Sequence, residues 1–162
     1  MNYGYKQLSQ DDTKPLKDLL KLFGEAFGEI DTYIGHMPND SYLKSLLSKP
    51  HFIALVAICN DEIVGGIAAY ELEKFEQDRR EIYIYDLAVS ENHRRKGVAT
   101  QLIKNLTQIA QERKAYMIFV QADKQDVAAI ALYESFGTKA DVLHFDIPVK
   151  INPKIIYKYK NN

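Results

Sequence analysis

A short basic segment of the chain has the composition of a phosphate-binding site. It contains three cations and a glycine, in the order Arg94, Arg95, Lys96, Gly97, Val98, Ala99 and Thr100. Gly97 lets a ligand approach the backbone because it has no side chain. If a helix begins there, its first N–H groups are unpaired and lie at the positive end of the helix dipole. The segment therefore predicts a phosphate or pyrophosphate site, and a solvated basic turn is the alternative interpretation.

The residues on either side of this segment predict the elements that position it. Before it, residues 81–89 are rich in β-branched and aromatic side chains and predict a strand. After it, apolar residues recur on one helical face, at Val98, Leu102, Ile103, Leu106, Ile109 and Ala110. The predicted order is strand, basic glycine-containing turn and helix N-terminus.

The rest of the chain alternates between strand and helix patterns. Residues 51–59 and 62–72 predict a hairpin, with a bulge or close backbone approach at Gly65 and Gly66. Other expectations are a helix capped by Asp12, a loop over 28–39, a short helix capped by Asn39 or Asp40, a strand over 115–121, a helix from Asp126 that stops at Gly137, and a last strand over 142–147. For Ile155, Ile156, Tyr157 and Tyr159 the pattern leaves both a strand and disorder open.

The ordered motifs resemble the GNAT superfamily of N-acetyltransferases. Arg94-x-x-Gly97-x-Ala99 after an apolar strand is similar to its acetyl-coenzyme A signature, and AAIALYESFG at 128–137 resembles its second helix. In finer detail LFGEAF, FIALVA, IYDLAV, FVQAD, ALY and HFDI, in that order, are similar to the aminoglycoside 3-N-acetyltransferases. The resemblance extends from about Leu22 to Ile147, and the Lys-rich residues after it depart from the family pattern.

The resemblance and the element order together predict the fold. A hairpin, then strand–helix, strand–helix and strand, indicates an α/β protein with a GNAT-like mixed, mostly antiparallel central sheet and helices on both faces. The length of 162 residues is within the usual size of one domain. We therefore expect a single N-acetyltransferase domain over residues 1–162.

The resemblance implies acetyl-CoA as the cosubstrate, held mainly by backbone groups. Residues 94–100 would hold its pyrophosphate through backbone N–H groups. The strand end at Leu87, Ala88 and Val89 would pair with the pantetheine arm and polarise the thioester carbonyl. Without a ligand role these three are plain core-strand residues. On the same resemblance Asp126 and Ala129, at the start of the next helix, are assigned to the cosubstrate.

Two side chains carry the implied catalysis. Tyr133 would act as a general acid on the leaving thiolate, whereas an aromatic in the core of an amphipathic helix is the alternative. Asp86 interrupts the apolar strand between Tyr85 and Leu87, where a carboxylate is costly to bury without a partner. The family pattern would place it against the substrate amine, as a base or as an opposing charge. Capping of nearby N–H groups is the alternative for Asp86.

An aminoglycoside carries several ammonium groups, so its site must present carboxylates. Besides Asp86, the residues predicted to bind substrate are Glu29, Asp123 and Asp146. Asp123 and Asp146 are preferred because each follows an apolar strand in a family-like string. Glu25, Asp31 and Asp126 are further candidates. Each acid taken singly is equally a solvated surface group, and Asp126 is equally a helix cap.

Composition restricts the other classes of function. A net charge of −1 gives no overall basic character for nucleic-acid binding. The four histidines lack metal-ligand spacing, so no metal is expected. The single cysteine, Cys59, excludes an internal disulfide and fits a reducing compartment. Nothing marks it as a nucleophile, so we expect direct transfer in a ternary complex.

The sequence also sets expectations for location and partners. It shows neither a signal-peptide pattern nor an apolar run of membrane-spanning length, so a cytoplasmic protein without a membrane partner is expected. The implied partners are acetyl-CoA and a cationic amine. Family members are commonly dimers, so a homodimer is allowed, although the sequence shows no subunit seam.

Three functions fit these observations. The first is acetylation of the 3-amino group of an aminoglycoside, which would give resistance. The second keeps the fold and acetyl-CoA but takes a polyamine, another small amine or a protein amine as acceptor. The third is a nucleic-acid or acyl-CoA-sensing module that uses HRRKG at 93–97 without catalysis. The near-neutral charge and the presence of Tyr133 and Asp86 count against the third.

Overall fold

The structure is a computed structural model of the chain, and it describes residues 1–147 and residue 149. These residues divide into two compact units, Met1–Gln125 and a second that begins at Asp126, and each is described separately. In the described part of the chain, every helix is too short or too polar to cross a bilayer.

A five-stranded sheet forms the centre of the first unit. Its strands lie side by side in chain order: β1 Gly4–Gln7, β2 Phe52–Cys59, β3 Glu62–Glu73, β4 Arg80–Val89 and β5 Ala115–Val120. The first four pair antiparallel, and β5 is parallel to β4. The predicted mixed, mostly antiparallel sheet and the predicted hairpin of β2 and β3 are therefore confirmed.

The helices of the first unit are α1 Thr13–Phe27, α2 Ile30–Tyr33, α3 Asp40–Leu47 and α4 Val98–Glu112, with a 3-10 turn at Glu91–His93. Asn39 caps α3, as predicted, because its side chain accepts from the N–H of Tyr42 at 2.9 Å. Asp12 does not cap α1 through its side chain, since that carboxylate instead accepts from the backbone N–H and hydroxyl of Ser9. The prediction of a loop over 28–39 is only partly right, because this segment contains the short helix α2.

Helices cover both faces of the sheet, and two adjacent glycines of β3 each lie against one of these helices. A Cβ on Gly66 would lie 2.5 Å from Cδ1 of Leu19 in α1 and 2.6 Å from the backbone carbonyl oxygen of Leu55, which cannot move aside, so no larger residue fits there. A Cβ on Gly65 would lie 3.2 Å from Cγ1 of Val98 in α4, on the opposite face. The ladder between β2 and β3 also shifts register beside these glycines. The predicted bulge and close approach are both present.

The buried apolar residues divide between the two faces in the same way. On the face covered by α1 and α3 they form a cluster that includes Leu16, Leu19, Phe23, Leu43, Leu47, Phe52, Ala54, Val56 and Ala88. The buried stripe of α4 consists of Val98, Leu102, Ile103, Leu106 and Ala110, which confirms most of the predicted helical face. Because helices pack against both faces of the sheet, the end of β4 lies on a well-packed support.

The second unit begins with α5, Val127–Glu134, which confirms the helix predicted after Asp126. The N–H of Gly137 donates to the carbonyl of Tyr133 at 3.0 Å, close to the predicted stop. The predicted strand over 142–147 is wrong. These residues are outside any strand and their apolar side chains are exposed, and a strand persists only when a neighbour pairs with it. The prediction for Ile155 to Tyr159 falls outside the described residues.

Candidate active site

The basic turn enters α4 with a backbone suited to an anion. Gly97 is the N-cap residue of α4 and has φ of +80°, a conformation that favours glycine. No side chain in the described part of the chain caps this helix end, so the first N–H groups of α4 remain free donors. A Cβ on Gly97 would meet no other atom within 4 Å. Free donors therefore border open space, as a diphosphate requires.

The three cations of the turn have different contacts. Nε of Arg94 donates to the carbonyl of Val89 at 3.0 Å, which ties the turn to the end of β4. Nζ of Lys96 donates to the carbonyl of Asn92 at 2.7 Å. Arg95 is exposed and has φ of +61°. Two of the cations thus bond to backbone carbonyls of the turn, and the free N–H groups at the start of α4 are the donors left for an anion.

The end of β4 has one paired edge and one open edge. On the β3 side, Leu87, Ala88 and Val89 keep their ladder partners. On the β5 side the pairing ends at Ile84 opposite Val120, while β4 continues for five more residues. Within the described residues this second edge has no strand partner, so its backbone groups can pair with an extended ligand.

A β-bulge in β4 decides which face Asp86 occupies. Ile84 lies opposite Ala69, whereas Asp86 lies opposite Ala68, so Tyr85 is the extra residue. Because side chains alternate along a regular strand, Asp86 would otherwise share the buried α4 face with Ile84. The bulge instead turns Asp86 toward the face covered by α1 and α2. Asp86 thereby shares this face with Tyr85, which alternation along the strand already places there.

Asp86 lies half-buried at the edge of a cavity. The cavity has a volume of about 190 Å³ and is lined mainly by apolar and aromatic side chains of α1, α3 and β2–β4. The hydroxyl of Tyr33 donates to Oδ1 of Asp86 at 3.0 Å. Among the described residues, no Lys, Arg or His side chain forms an ion pair with Asp86. The carboxylate therefore has one hydrogen-bond donor and no opposing charge.

The environment shifts the ionisation of both partners. Burial raises the pKa of Asp86 above its ordinary value, and the hydrogen bond from Tyr33 partly offsets this. Burial, together with the negative charge of Asp86, raises the pKa of Tyr33. Tyr33 therefore stays a neutral donor, and Asp86 is a stronger proton acceptor than a solvated aspartate. An incoming ammonium would supply the missing charge.

The other acids predicted to bind substrate have separate surroundings. Glu29 precedes α2 and accepts from the hydroxyl of Thr32 at 3.1 Å. It therefore lies at the start of the short helix whose Tyr33 contacts Asp86. Asp123 is exposed beyond the end of β5. Asp146, in the second unit, lies 3.0 Å from Nε2 of His144. Their roles toward substrate stay predictions.

The second unit contains Tyr133, and it also contains Asp126 and Ala129, the two residues at the start of α5 that were predicted to bind the cosubstrate. The carboxylate of Asp126 accepts from the N–H of Ala129 at 3.0 Å and so caps α5. Tyr133 is half-buried, and burial together with the charge of Asp126 raises its pKa to about 12. The phenol therefore keeps its proton throughout the working pH range. Its role as an acid stays a prediction.

Sequence reasoning missed Tyr33 and Tyr85. The contact between Tyr33 and Asp86 joins residues 53 positions apart, and no local pattern indicates it. Tyr85 precedes Asp86 in sequence, but only the bulge places both on one face. In the described part of the chain, no group of three or more His, Cys, Asp or Glu side chains is placed to hold a metal ion.

Comparison with known proteins identifies the family. The model of the acetyltransferase (GNAT) family matches residues 16–138. The chain therefore belongs to the GNAT family of acetyltransferases. The fold agrees, because the sheet, the turn before α4 and the open edge of β4 are all in place.

Particular relatives are similar to different extents. An aminoglycoside acetyltransferase from an uncultured soil metagenomic sample is 52% identical, with a TM-score of 0.91 over 93% of this chain and 100% of that one. A second such enzyme, solved in complex with sisomicin, is 31% identical, with a TM-score of 0.85 over 91% and 97% of the two chains. N-acetyltransferase 8B of Rattus norvegicus is 27% identical over 102 residues, which are 63% of this chain. The chain spans only 46% of the length of that curated relative.

Proposed function

We propose that this enzyme transfers the acetyl group of acetyl-CoA to the 3-amino group of an aminoglycoside, by direct attack in a ternary complex, and that this gives resistance. The observation that carries the proposal is the 52% identity, over nearly the whole chain, to an aminoglycoside acetyltransferase. The half-buried Asp86 supports it, because a carboxylate with no paired cation in the described structure suits a cationic acceptor.

The residues of the site fit the cosubstrate. Acetyl-CoA supplies an activated acetyl group as a thioester. The free N–H groups at the start of α4 would hold its pyrophosphate, and the open edge of β4 at Leu87–Val89 would hold its extended arm. Asp126 and Ala129, at the start of α5, are proposed to contact it as well. Gly97 leaves the space that the phosphates need.

The residues that handle the acceptor are proposed to act in sequence. Asp86 would hold the ammonium, with Glu29, Asp123 and Asp146 binding other amino groups of the same molecule. Asp86 or water would then remove a proton, so that the amine has a free lone pair. Tyr133 would donate to the departing sulfur. Cys59 is only 4% exposed, so its thiol is not available to carry the acetyl group.

The proposal is tested by measuring thiol release from acetyl-CoA with a panel of aminoglycosides and simple polyamines, and by locating the acetyl group in the product. Acetylation at the 3-amino group is expected, together with raised aminoglycoside tolerance in a susceptible bacterium that expresses the chain. An aminoglycoside with a blocked 3-amino group is the matched control and should not react. Turnover only with polyamines, small amines or protein amines would replace the proposal with that acceptor class.

Replacing Gly97 by alanine is expected to raise the KM for acetyl-CoA by about 10- to 100-fold, the effect of losing hydrogen bonds to a charged group. The added Cβ would enter the open space beside the free N–H groups, and it also strains a backbone at φ of +80°. Steady-state kinetics of the folded variant measure the effect.

The control for this prediction is Gly28→Ala. Gly28 has φ of +70° and equally open surroundings, so the two substitutions impose similar backbone strain. The Gly28 variant should lose comparable stability but keep its KM for acetyl-CoA. An unchanged KM in a folded Gly97→Ala variant would contradict the phosphate-binding role.

Replacing Tyr33 by phenylalanine is expected to move the acid limb of kcat/KM to higher pH. The hydroxyl of Tyr33 lowers the pKa of Asp86 against the effect of burial, so its removal raises that pKa further. Asp86 must be ionised to hold an ammonium, and activity therefore disappears at a higher pH as the pH falls. A pH profile of kcat/KM measures the shift.

Tyr42→Phe serves as the comparison, because Tyr42 lines the same cavity but does not donate to Asp86. Its acid limb should match that of the wild type. If the Tyr33 variant also shows the wild-type limb, Tyr33 does not tune Asp86.

A further inference from the structure

A continuous row of aromatic rings crosses the sheet next to Asp86. It begins at Phe52 on β2, whose ring centroid lies 5.2 Å from that of Tyr70 on β3. Tyr70 lies 6.0 Å from Tyr85, and Tyr85 lies 5.9 Å from Tyr83 on the same strand. Tyr83 stacks on Phe119 of β5 at 4.9 Å. Each ring is therefore held in place by its neighbours, and the row spans four strands.

Tyr85 is the most accessible ring of this row. Its relative exposure is 64%, although it makes edge contacts with rings on both sides. Tyr85 is the extra residue of the bulge in β4, and it lies on the same face as Asp86. Tyr85 and Tyr70 also line the cavity that contains Asp86.

The charge in the lining of this cavity is negative. Among the described residues its lining contains one carboxylate, Asp86, and no basic side chain. The cation that stacks on an aromatic ring in the first unit, Arg79, lies over Tyr116 and outside the row. The electron-rich faces of Tyr85 and Tyr70 are thus left beside a negative charge, and this combination attracts an ammonium group.

Resting on the proposed function, we infer that Tyr85 is a specificity-determining residue that binds one amine-bearing ring of the acceptor on its aromatic face, while Asp86 holds the reacting amino group. Tyr70 and Tyr83 keep the ring of Tyr85 in position from either side. The acceptor class that fits is a cyclic polyamine such as an amino sugar, which offers both an ammonium for the ring face and a broad aliphatic face for contact.

The inference is tested first by kinetics on three variants. Tyr85→Leu removes the ring and should raise the KM for the aminoglycoside by about 2- to 30-fold, the range of a cation–π contact. Tyr85→Phe keeps the ring and should stay close to wild type. Phe75→Leu removes a ring with 102% exposure outside the row and should have no effect. The KM for acetyl-CoA should not change in any of them.

A direct binding measurement uses the absence of tryptophan from the chain. Tyr85→Trp gives a protein with a single tryptophan in the row, and Phe75→Trp gives one outside it. Added aminoglycoside should change the emission of the first in a saturable way, at concentrations near its KM. The emission of the second should not respond.

Each outcome bears on a distinct claim. If the wild type acetylates aminoglycosides, yet Tyr85→Leu keeps its KM and the Tyr85→Trp emission does not respond, the inference about Tyr85 is overturned and the proposed function stands. If the wild type acetylates a different cationic amine, the proposed function fails. The same titration with that amine then decides whether Tyr85 contacts the acceptor.

Discussion

Replacing Asp86 by asparagine is expected to remove most of the activity on a cationic aminoglycoside while leaving the KM for acetyl-CoA unchanged. Asparagine can still accept the hydrogen bond from Tyr33, so the local structure should persist. The variant loses the carboxylate charge that would balance an ammonium in a half-buried site. Hydrogen bonds to charged groups contribute roughly 1.5–3 kcal/mol, which is about 10- to 150-fold in kcat/KM.

The pH dependence of the variant separates the two roles of Asp86. If Asp86 is the base, kcat should fall by about 10²–10⁴-fold, and the decrease of kcat itself at low pH should disappear with the carboxylate. If Asp86 only anchors the amine, KM should rise strongly and kcat should recover with increasing pH as the amine deprotonates by itself. The raised pKa of Asp86 favours the base role, and a bound cation would lower that pKa again.

Asp78→Asn is the matched control for the lost charge, because Asp78 lies exposed in the turn between β3 and β4. It should retain wild-type kinetics at every pH. A folded Asp86→Asn variant with near-normal kcat/KM at neutral pH would exclude both the base and the anchor role.

The elements on either side of the basic turn were predictable because their signals are local. The apolar stripe from Val98 to Ala110 repeats at helical spacing, and Gly97 marks the point where the backbone enters the left-handed region. The hairpin of β2 and β3 follows from two apolar runs joined by Asn60 and Asp61, both of which have positive φ. Such features depend on neighbours in sequence, and the sequence contains them in full.

The surroundings of Asp86 were predictable only in part, because their geometry depends on one bulge. Alternation along β4 would place Asp86 with Ile84 against α4, where no partner for a carboxylate was predicted. The extra residue, Tyr85, shifts the alternation of side chains by one position, so that Asp86 lies on the opposite face and contacts Tyr33. No residue type near Tyr85 marks a bulge, since neither glycine nor proline is present in β4. Asp86 was therefore identified as a candidate, but its surroundings were not.

The wrong strand over 142–147 has a related cause. Val142, Phe145 and Ile147 have the apolar character of a strand, but a strand also needs a partner strand, and none of the described strands pairs with this segment. The opposite error occurred at α2. Gly28, with φ of +70°, ends α1, and the chain resumes a helical turn at Ile30 that a loop-like composition conceals.

Replacing Tyr133 by phenylalanine is expected to lower kcat while the KM for acetyl-CoA stays similar. Phenylalanine keeps the ring in its half-buried place and removes only the proton donor. General acids contribute about 10²–10⁴-fold. Tyr5→Phe is the matched control, because burial also raises the pKa of that phenol, and Tyr5 lies on β1. Its kcat should be unchanged.

The size of the expected loss follows from the acidity of the phenol. Burial raises the pKa of Tyr133 to about 12, above the value of about 8.5 for a simple thiol. Complete transfer of its proton to a departing thiolate would thus be uphill, whereas donation of a hydrogen bond has no such cost. We therefore expect a loss near 10²-fold, at the lower end of the range. Because burial raises the pKa of Tyr133, the phenol stays protonated near neutral pH, and its removal should leave the shape of the kcat profile unchanged there. A variant with wild-type kcat under conditions where chemistry limits turnover would show that Tyr133 is a packing residue.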